Sequence, residues 1–445
     1  MPARATPADR ETMTAMSHTT RSSFIPVLLA AILASAWMPA GTEDVLKPGD
    51  HDALGKSIAK FMAAKSSDKG VDTARTEVSK ELDNWKKKIK GRDALALTSD
   101  LGRALWRSFE YDTQTKVKPG KITVTGVSYD PSAKPGKPQF EYAVWVPAKY
   151  NPKQAYPLLL CIPDKGTKPA DHLVEKWPLE TIRENVILAA VPMPGDAVAQ
   201  WTEMGTEEKP GGAGNLLLTF RDIKKMYAID FDRVYLAGRG DGVAAAVTIA
   251  SRFPDRFAGV IGRTGDIGDT PADNFKNLPT FFAGGGAGAT KFADAVKAAG
   301  YENCTLKPDA QEAEVWAWMQ EHPRVSNPTD VVLLPGSPIP NKAYWLEVPP
   351  FDGVGKAIVK AKADRGTNTV VVDGEGVTSV ILFFNDVIAD LDKPVKVVCN
   401  GADHLVQVPR NLITTLNLMS SSRSDPGKLY TATMTFDLPV KTKPK

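Results

Sequence analysis

The 445 residues carry 55 Lys and Arg against 52 Asp and Glu, a formal net charge of +3, with 42% hydrophobic and 24% charged residues. That balance belongs to an ordinary soluble globular protein; it excludes a disordered chain and argues against a nucleic-acid partner. The length exceeds what one compact core accommodates, so at least two domains are expected.

In chain order, Arg4, Arg10 and Arg21 precede or flank an apolar run over 24–37 that contains the small-residue triplet Ala34-Ser35-Ala36. This layout predicts a signal peptide over 1–36, with Met13 or Met16 as alternative starts, and an exported protein, periplasmic or extracellular. The run is too short to cross a bilayer comfortably, so no stable membrane span is expected after leader cleavage. Helical spacing of Leu54, Ile58, Phe61 and Met62 predicts a helical prefix over 44–115. Within it, Gly55-Lys56-Ser57 lacks the upstream glycine and lead-in strand of a phosphate loop. The run Lys86-Lys87-Lys88-Ile89-Lys90 reads, beside Glu81 and Asp83, as a solvated helix face.

From Lys121 the period changes. Strand-like stretches at 122–129 and 140–146 lead to fully apolar runs at 158–162, 186–191, 234–237, 259–262 and 280–283, separated by helical patterns at 216–226, 243–253 and 292–299. Such interleaving predicts an α/β domain over 121–324, a doubly wound and mainly parallel sheet covered on both faces. Proline and glycine over 325–340 suit an interdomain crossing. Beyond it, strand candidates at 343–348, 356–361, 369–372, 377–384, 395–399 and 430–436 are punctuated by Asp373-Gly374 and Asn400-Gly401. They predict a small C-terminal antiparallel β domain over 340–445, with one helix near 411–418. Cys161, Cys304 and Cys399 are odd in number and widely spaced, and read as buried thiols. The five scattered histidines offer no metal-ligand spacing, so neither metal nor cofactor is expected.

The stretch that bears on chemistry is Arg233-Val-Tyr-Leu-Ala-Gly238-Arg239-Gly240-Asp241-Gly242-Val243, followed by an Ala-rich helix ending Arg252-Phe253-Pro254-Asp255-Arg256-Phe257. It resembles the nucleophile elbow of α/β-hydrolases, especially the secreted esterase, feruloyl-esterase, polyhydroxyalkanoate-depolymerase and prolyl-peptidase-like group. The lead-in Tyr227-Ala-Ile-Asp230-Phe-Asp232 is similar too, and the resemblance covers about 121–324. It implies a Gly-x-Ser-x-Gly turn with Gly238 and Gly242 as flanks, which puts Gly240 at the serine position. Glycine has no atom with which to attack a carbonyl. A one-residue shift that makes Asp241 the nucleophile would set Arg239 and Val243 at flanks that must be small.

The same resemblance places the catalytic acid near Gly288, in a stretch over 284–290 without a carboxylate, and the histidine at Gln311, whose amide cannot shuttle a proton. The oxyanion turn, His-Gly-Gly in relatives, corresponds to Pro163-Asp164-Lys165-Gly166, where proline removes one N–H donor. His322 reads as a surface or C-cap residue, and Arg239-Gly240-Asp241 as an elbow rather than an adhesion tripeptide.

These losses point first to a non-catalytic pseudo-esterase that binds a small ester-like, carbohydrate or peptide ligand or a partner. Its candidate cleft residues are Asp164, Lys165, His172, Trp201, Arg239 and Asp241, with the glycine-rich stretch 211–214 at the rim. One alternative is a divergent ester or peptide hydrolase that uses Asp164, His172 and Asp241 as acid and base, which demands that these groups lie within about one water of each other. Another is carbohydrate or protein binding through the C-terminal β domain, with Tyr344, Trp345 and Phe351 as candidates, although strand aromatics are more often core.

Overall fold

The computed structural model describes residues 45–111, 117–127, 140–195, 198–206, 211–336, 340–351, 356–422 and 425–440. The expected signal peptide lies outside the described residues. Three helices come first: α1 (Pro48–Ser67), α2 (Val71–Lys88) and α3 (Thr98–Arg107). Leu54, Ile58 and Phe61 of α1 meet Val78 and Trp85 of α2 and Leu101 and Leu105 of α3 in one apolar cluster. Gly55 serves this packing, because a Cβ there would come within 2.8 Å of the Ala104 carbonyl oxygen. The buried Asp100 carboxylate accepts the Leu46 N–H at 2.9 Å and lies 2.8 Å from His51 Nε2, which fixes the entry into α1.

Eight strands follow: β1 (Ile122–Val127), β2 (Phe140–Trp145), β3 (Tyr156–Ile162), β4 (Ile187–Ala190), β5 (Ile229–Arg239), β6 (Gly259–Gly265), β7 (Thr280–Gly285) and β8 (Cys304–Leu306). They form one sheet in the order β1-β2-β4-β3-β5-β6-β7-β8. The pairings β1–β2 and β2–β4 are antiparallel and the rest parallel. Between the strands run α4 (Pro169–Lys176), α5 (Glu180–Asn185), α6 (Val198–Thr202), α7 (Gly212–Met226), α8 (Asp241–Arg252) and α9 (Ala287–Ala298), and α10 (Glu312–Glu321) comes after β8.

Alternate residues of each strand enter different cores. Leu158, Leu160, Leu236 and Phe282 pack with Leu216 of α7, Val247 of α8 and Phe292 of α9. Leu159, Tyr235, Ile261 and Phe281 pack on the other face with Leu173 of α4 and Val315 and Trp318 of α10. Burial on both faces is why these strands read as unbroken apolar runs instead of alternating ones.

The C-terminal part holds β9 (Asp330–Leu333), β10 (Lys342–Ala343), β11 (Leu346–Glu347), β12 (Ile358–Asp364), β13 (Thr369–Glu375), β14 (Ser379–Phe384), β15 (Val395–Cys399), β16 (Ala402–Val406), α11 (Leu412–Ser421) and β17 (Ala432–Asp437). Two sheets result, β10-β11-β14-β17 and β16-β15-β13-β12-β9. Two details differ from the expectation. The segment read as a crossing contributes β9, an edge strand of the second sheet, and β13 pairs with β15 in parallel. The parallel pair arises because β14 leaves for the other sheet, and the chain returns in the direction of β13. Tyr344 and Trp345 are buried: the Tyr344 hydroxyl donates between the Pro254 and Asn277 carbonyls at 3.2 and 3.1 Å, and the Trp345 indole N–H donates to the Pro328 carbonyl at 2.6 Å. Neither can form an exposed sugar platform, because each ring fills the core and spends its polar atom inside it.

Arg324 fastens the two parts. It is 5% exposed, donates two 2.8 Å bonds to the Asp425 carboxylate and one of 2.9 Å to Asp232 on β5, and reaches the Asp255 carbonyl at 2.7 Å. Although burial alone would raise the Asp425 carboxyl, the charge and hydrogen bonds of Arg324 hold it below the ordinary range. Replacing Arg324 by Met leaves Asp425 buried without its bidentate partner, so we expect a loss of roughly 3–5 kcal/mol of stability. A fall in the urea midpoint at unchanged slope would report it, and a change below about 1 kcal/mol would show that the junction is held otherwise.

Candidate functional site

β5 ends at Arg239 and α8 begins at Asp241, so Gly240 alone makes the strand-to-helix turn. Its φ of 53° and ψ of −127° fall in a region that side-chain-bearing residues enter only under strain. The flanks are equally tight. A Cβ on Gly238 would lie 2.2 Å from the Gly242 carbonyl oxygen, and one on Gly242 would lie 2.4 Å from that of Ile162. This is the steric signature of a nucleophile elbow.

The space above Gly240 is occupied. A Cβ there would stand 2.0 Å from Asp164 Oδ1 and 2.2 Å from its Cγ, so the Asp164 carboxylate fills the place from which a side chain would project. Asp164 arrives from the loop after β3, which lies beside β5 with Ile162 opposite Gly238. Its Oδ1 accepts the Asp241 N–H at 3.0 Å and the Lys165 N–H at 2.9 Å. The residue after the turn and the loop after β3 are the two backbone sources that supply an oxyanion hole in this architecture. Here both donors converge on one oxygen of the exposed Asp164 carboxylate, at the positive end of α8.

Other candidates are placed as follows. Asp164 and Lys165, with Pro163, Pro192, Met193 and Trp201, help line an open cavity of about 330 Å³. Trp201 is only 2% exposed, and its indole N–H donates to the Gly195 carbonyl at 3.3 Å, so it is a packed wall and not a mobile rim. The glycine stretch 211–214 is buried at the start of α7, because the Trp201 backbone lies against it; a Cβ on Gly212 would meet the Trp201 oxygen at 2.3 Å. Asp241 is exposed, and Arg239 is half-buried beside Arg263 of β6.

His172 is buried, and its Nε2 accepts the Trp177 indole N–H at 3.3 Å. The proton therefore resides on Nδ1, which has no partner among the described residues. Burial first, then the charges of Arg239, Arg263 and Lys176, drive its pKa down to about 4. A neutral ring whose basic nitrogen is already bonded to an indole is poorly set to relay protons between Asp164 and Asp241.

Gly288 donates its N–H to the Asp266 carboxylate at 3.1 Å, and Ala289 and Ile267 do so at 2.9 Å each. Desolvation pushes the Asp266 carboxyl up, but these three bonds outweigh it and hold the pKa below the ordinary range. A carboxylate thus reaches the Gly288 position from the end of β6 rather than β7. The available signal was Gly265-Asp266, an acid directly after an apolar run, since the C-terminal edge of parallel strands is where ligand sites form. Gln311 is the N-cap of α10, exposed, with its amide donating to the Asp309 carbonyl at 2.9 Å. His322 caps the other end of α10, its Nδ1 2.8 Å from the Trp318 carbonyl.

A mainly parallel sheet with this strand order, bearing a one-residue elbow at the end of its central strand, is an α/β-hydrolase fold. No family model and no curated protein matches the chain. Among solved structures it is similar to a thermostable esterase at 19% identity and a TM-score of 0.33, over 41% of this chain and 59% of that one. A ferulic acid esterase matches at 15% identity and a TM-score of 0.32, over 38% and 82% of the two chains. A fluorophosphonate-binding serine hydrolase of Staphylococcus aureus matches at 10% and 0.35, over 45% and 98%. The chain thus spans about three fifths of the thermostable esterase. Strand order and elbow geometry carry the fold assignment, and these matches add no weight to it.

The depressed pKa of His172 has a sign. Its folded-state value lies below the ordinary 6.5, so its contribution to stability is complete above pH 6.5 and is lost as pH falls toward about 4. We expect His172→Phe to flatten stability against pH in that window by up to roughly 3 kcal/mol. Urea titrations at a series of pH values measure this; parallel curves for the two proteins would refute it.

Proposed function

We propose that the chain is an exported, non-catalytic α/β-hydrolase-fold protein, a pseudo-esterase whose cleft above β5 binds a small ester-like, carbohydrate or peptide ligand. One observation carries the reading: the Asp164 carboxylate sits where a nucleophile would project and takes up both oxyanion-type donors. An ester carbonyl entering that position would meet a negative charge where its own charge must develop. Gly240 offers no attacking atom, and Gln311 no titrating one. The proposal of export rests on the arginine-then-apolar order of the first 37 residues. The neighbouring 330 Å³ cavity, with Lys165 and Asp164 on its wall, suits a small polar ligand.

Purified protein is expected to hydrolyse p-nitrophenyl acetate no faster than buffer and to resist a fluorophosphonate probe; stoichiometric labelling of one residue would sink the proposal. A second test addresses the carboxylate directly. Gly240→Ser is expected to cost roughly 1–3 kcal/mol, because the new Cβ is both strained and in collision with Asp164. Asp164→Gly in the same chain should recover about half of that loss, leaving only the backbone strain. Strict additivity of the two changes in a double-mutant cycle would mean that Asp164 does not fill the turn.

A further inference from the structure

A second cavity, of about 280 Å³, opens between the α/β sheet and the C-terminal part. It lies toward the start of β5: Phe231 is on its wall, eight residues before Arg239, a distance of about 26 Å along an extended strand. It is therefore separate from the cleft and independent of the function proposed for it.

Six cationic side chains line it: Arg221 and Lys224 of α7, Arg252 at the end of α8, then Arg256, Lys342 and Lys428. The carboxylates on the wall, Asp255 and Asp425, are committed to bonds inside the protein, Asp255 to Lys428 at 2.7 Å and Asp425 to Arg324 at 2.8 Å. Glu347 stands 3.6 Å from Lys342. The C-terminal ends of α8 and α11 also face the space, each worth about half a negative charge. Among the described lining residues the six cations outnumber the carboxylates.

Arg256 is the informative residue. Its guanidinium is half-buried and lies 4.7 Å over the Phe253 ring, and no group among the described residues accepts a hydrogen bond from it. Five donors held in one plane at a partly desolvated site are unfavourable unless something accepts from them. Burial pushes the Arg256 and Lys342 pKa values down and takes Lys428 to about 8, against the opposing pull of Asp255, Asp425 and Glu347. Phe220 and Phe231, with ring centroids 6.4 Å apart, add an apolar wall. The volume equals that of roughly nine bulk waters, more than a bare oxyanion displaces.

We propose that this cavity binds a small molecule bearing a phosphate or sulfate group, with the Arg256 guanidinium as principal donor and the two phenylalanines against its organic part. A planar fork of N–H groups matches the oxygens of such a group bidentately.

Isothermal titration calorimetry of the full chain at low ionic strength, with inorganic phosphate, inorganic sulfate and glucose 6-phosphate as probes, tests this. Saturable one-site binding is expected with a dissociation constant of roughly millimolar or tighter. Arg256→Gln and Lys342→Gln, each checked for folding by circular dichroism, should weaken it by about tenfold, as the loss of one charge-assisted hydrogen bond implies. Arg75→Gln, on the exposed face of α2, should leave it unchanged. A preference for phosphate or for sulfate identifies the ester class. No saturable heat with any probe, or unaltered binding in every folded cavity variant, would overturn the proposal.

Discussion

A single guanidinium, that of Arg324, sets the arrangement of this molecule. A buried charge is tolerated only when partners surround it, and here they come from opposite sides of a junction: Asp232 from β5 and Asp425 from the segment before β17. Because Arg324 also bonds the Asp255 carbonyl, the loop after α8 is fixed by the same side chain. Replacing all the charged partners together by apolar residues would change stability little, whereas removing one alone is costly; what the set secures is orientation. Tyr344, whose hydroxyl reaches Pro254 and Asn277, extends the same joint.

β5 connects that joint to the cleft. Its first half carries Asp232 and its last residue is Arg239, so the strand that is tied to the C-terminal part also presents the elbow. At its tip the backbone adopts the conformation that elsewhere strains a nucleophile, but glycine enters it with little penalty. The carboxylate of Asp164 then satisfies the amides that the turn leaves open. The tight strand-to-helix turn is thus formed without backbone strain, and its amides are occupied from within the protein.

The fold was legible because its sheet is buried on both sides, which makes each strand a short apolar run, and because glycines two residues either side of Gly240 mark a turn that few other motifs need. What was not legible depends on neighbours brought together by topology. Asp164 could be picked out as a cleft residue, yet its seat over Gly240 follows from β3 lying beside β5, with Ile162 opposite Gly238. Asp266 escaped because it follows a different strand from the one the resemblance indicates, although its oxygens meet the Gly288 amide. Composition misled at 211–214, where glycines that suggest mobility serve the close passage of α6 over α7. It misled again at 330–333, where a Pro-rich surround hid an edge strand.

The first three helices do not complete their own core. Leu416 and Met419 of α11, together with Leu429, finish it. During synthesis the apolar faces of α1, α2 and α3 are therefore left without these neighbours until residues 412–429 have emerged from the ribosome. Sticky surface stays open throughout that interval, and a chaperone holding it would have to wait for α11 before letting go.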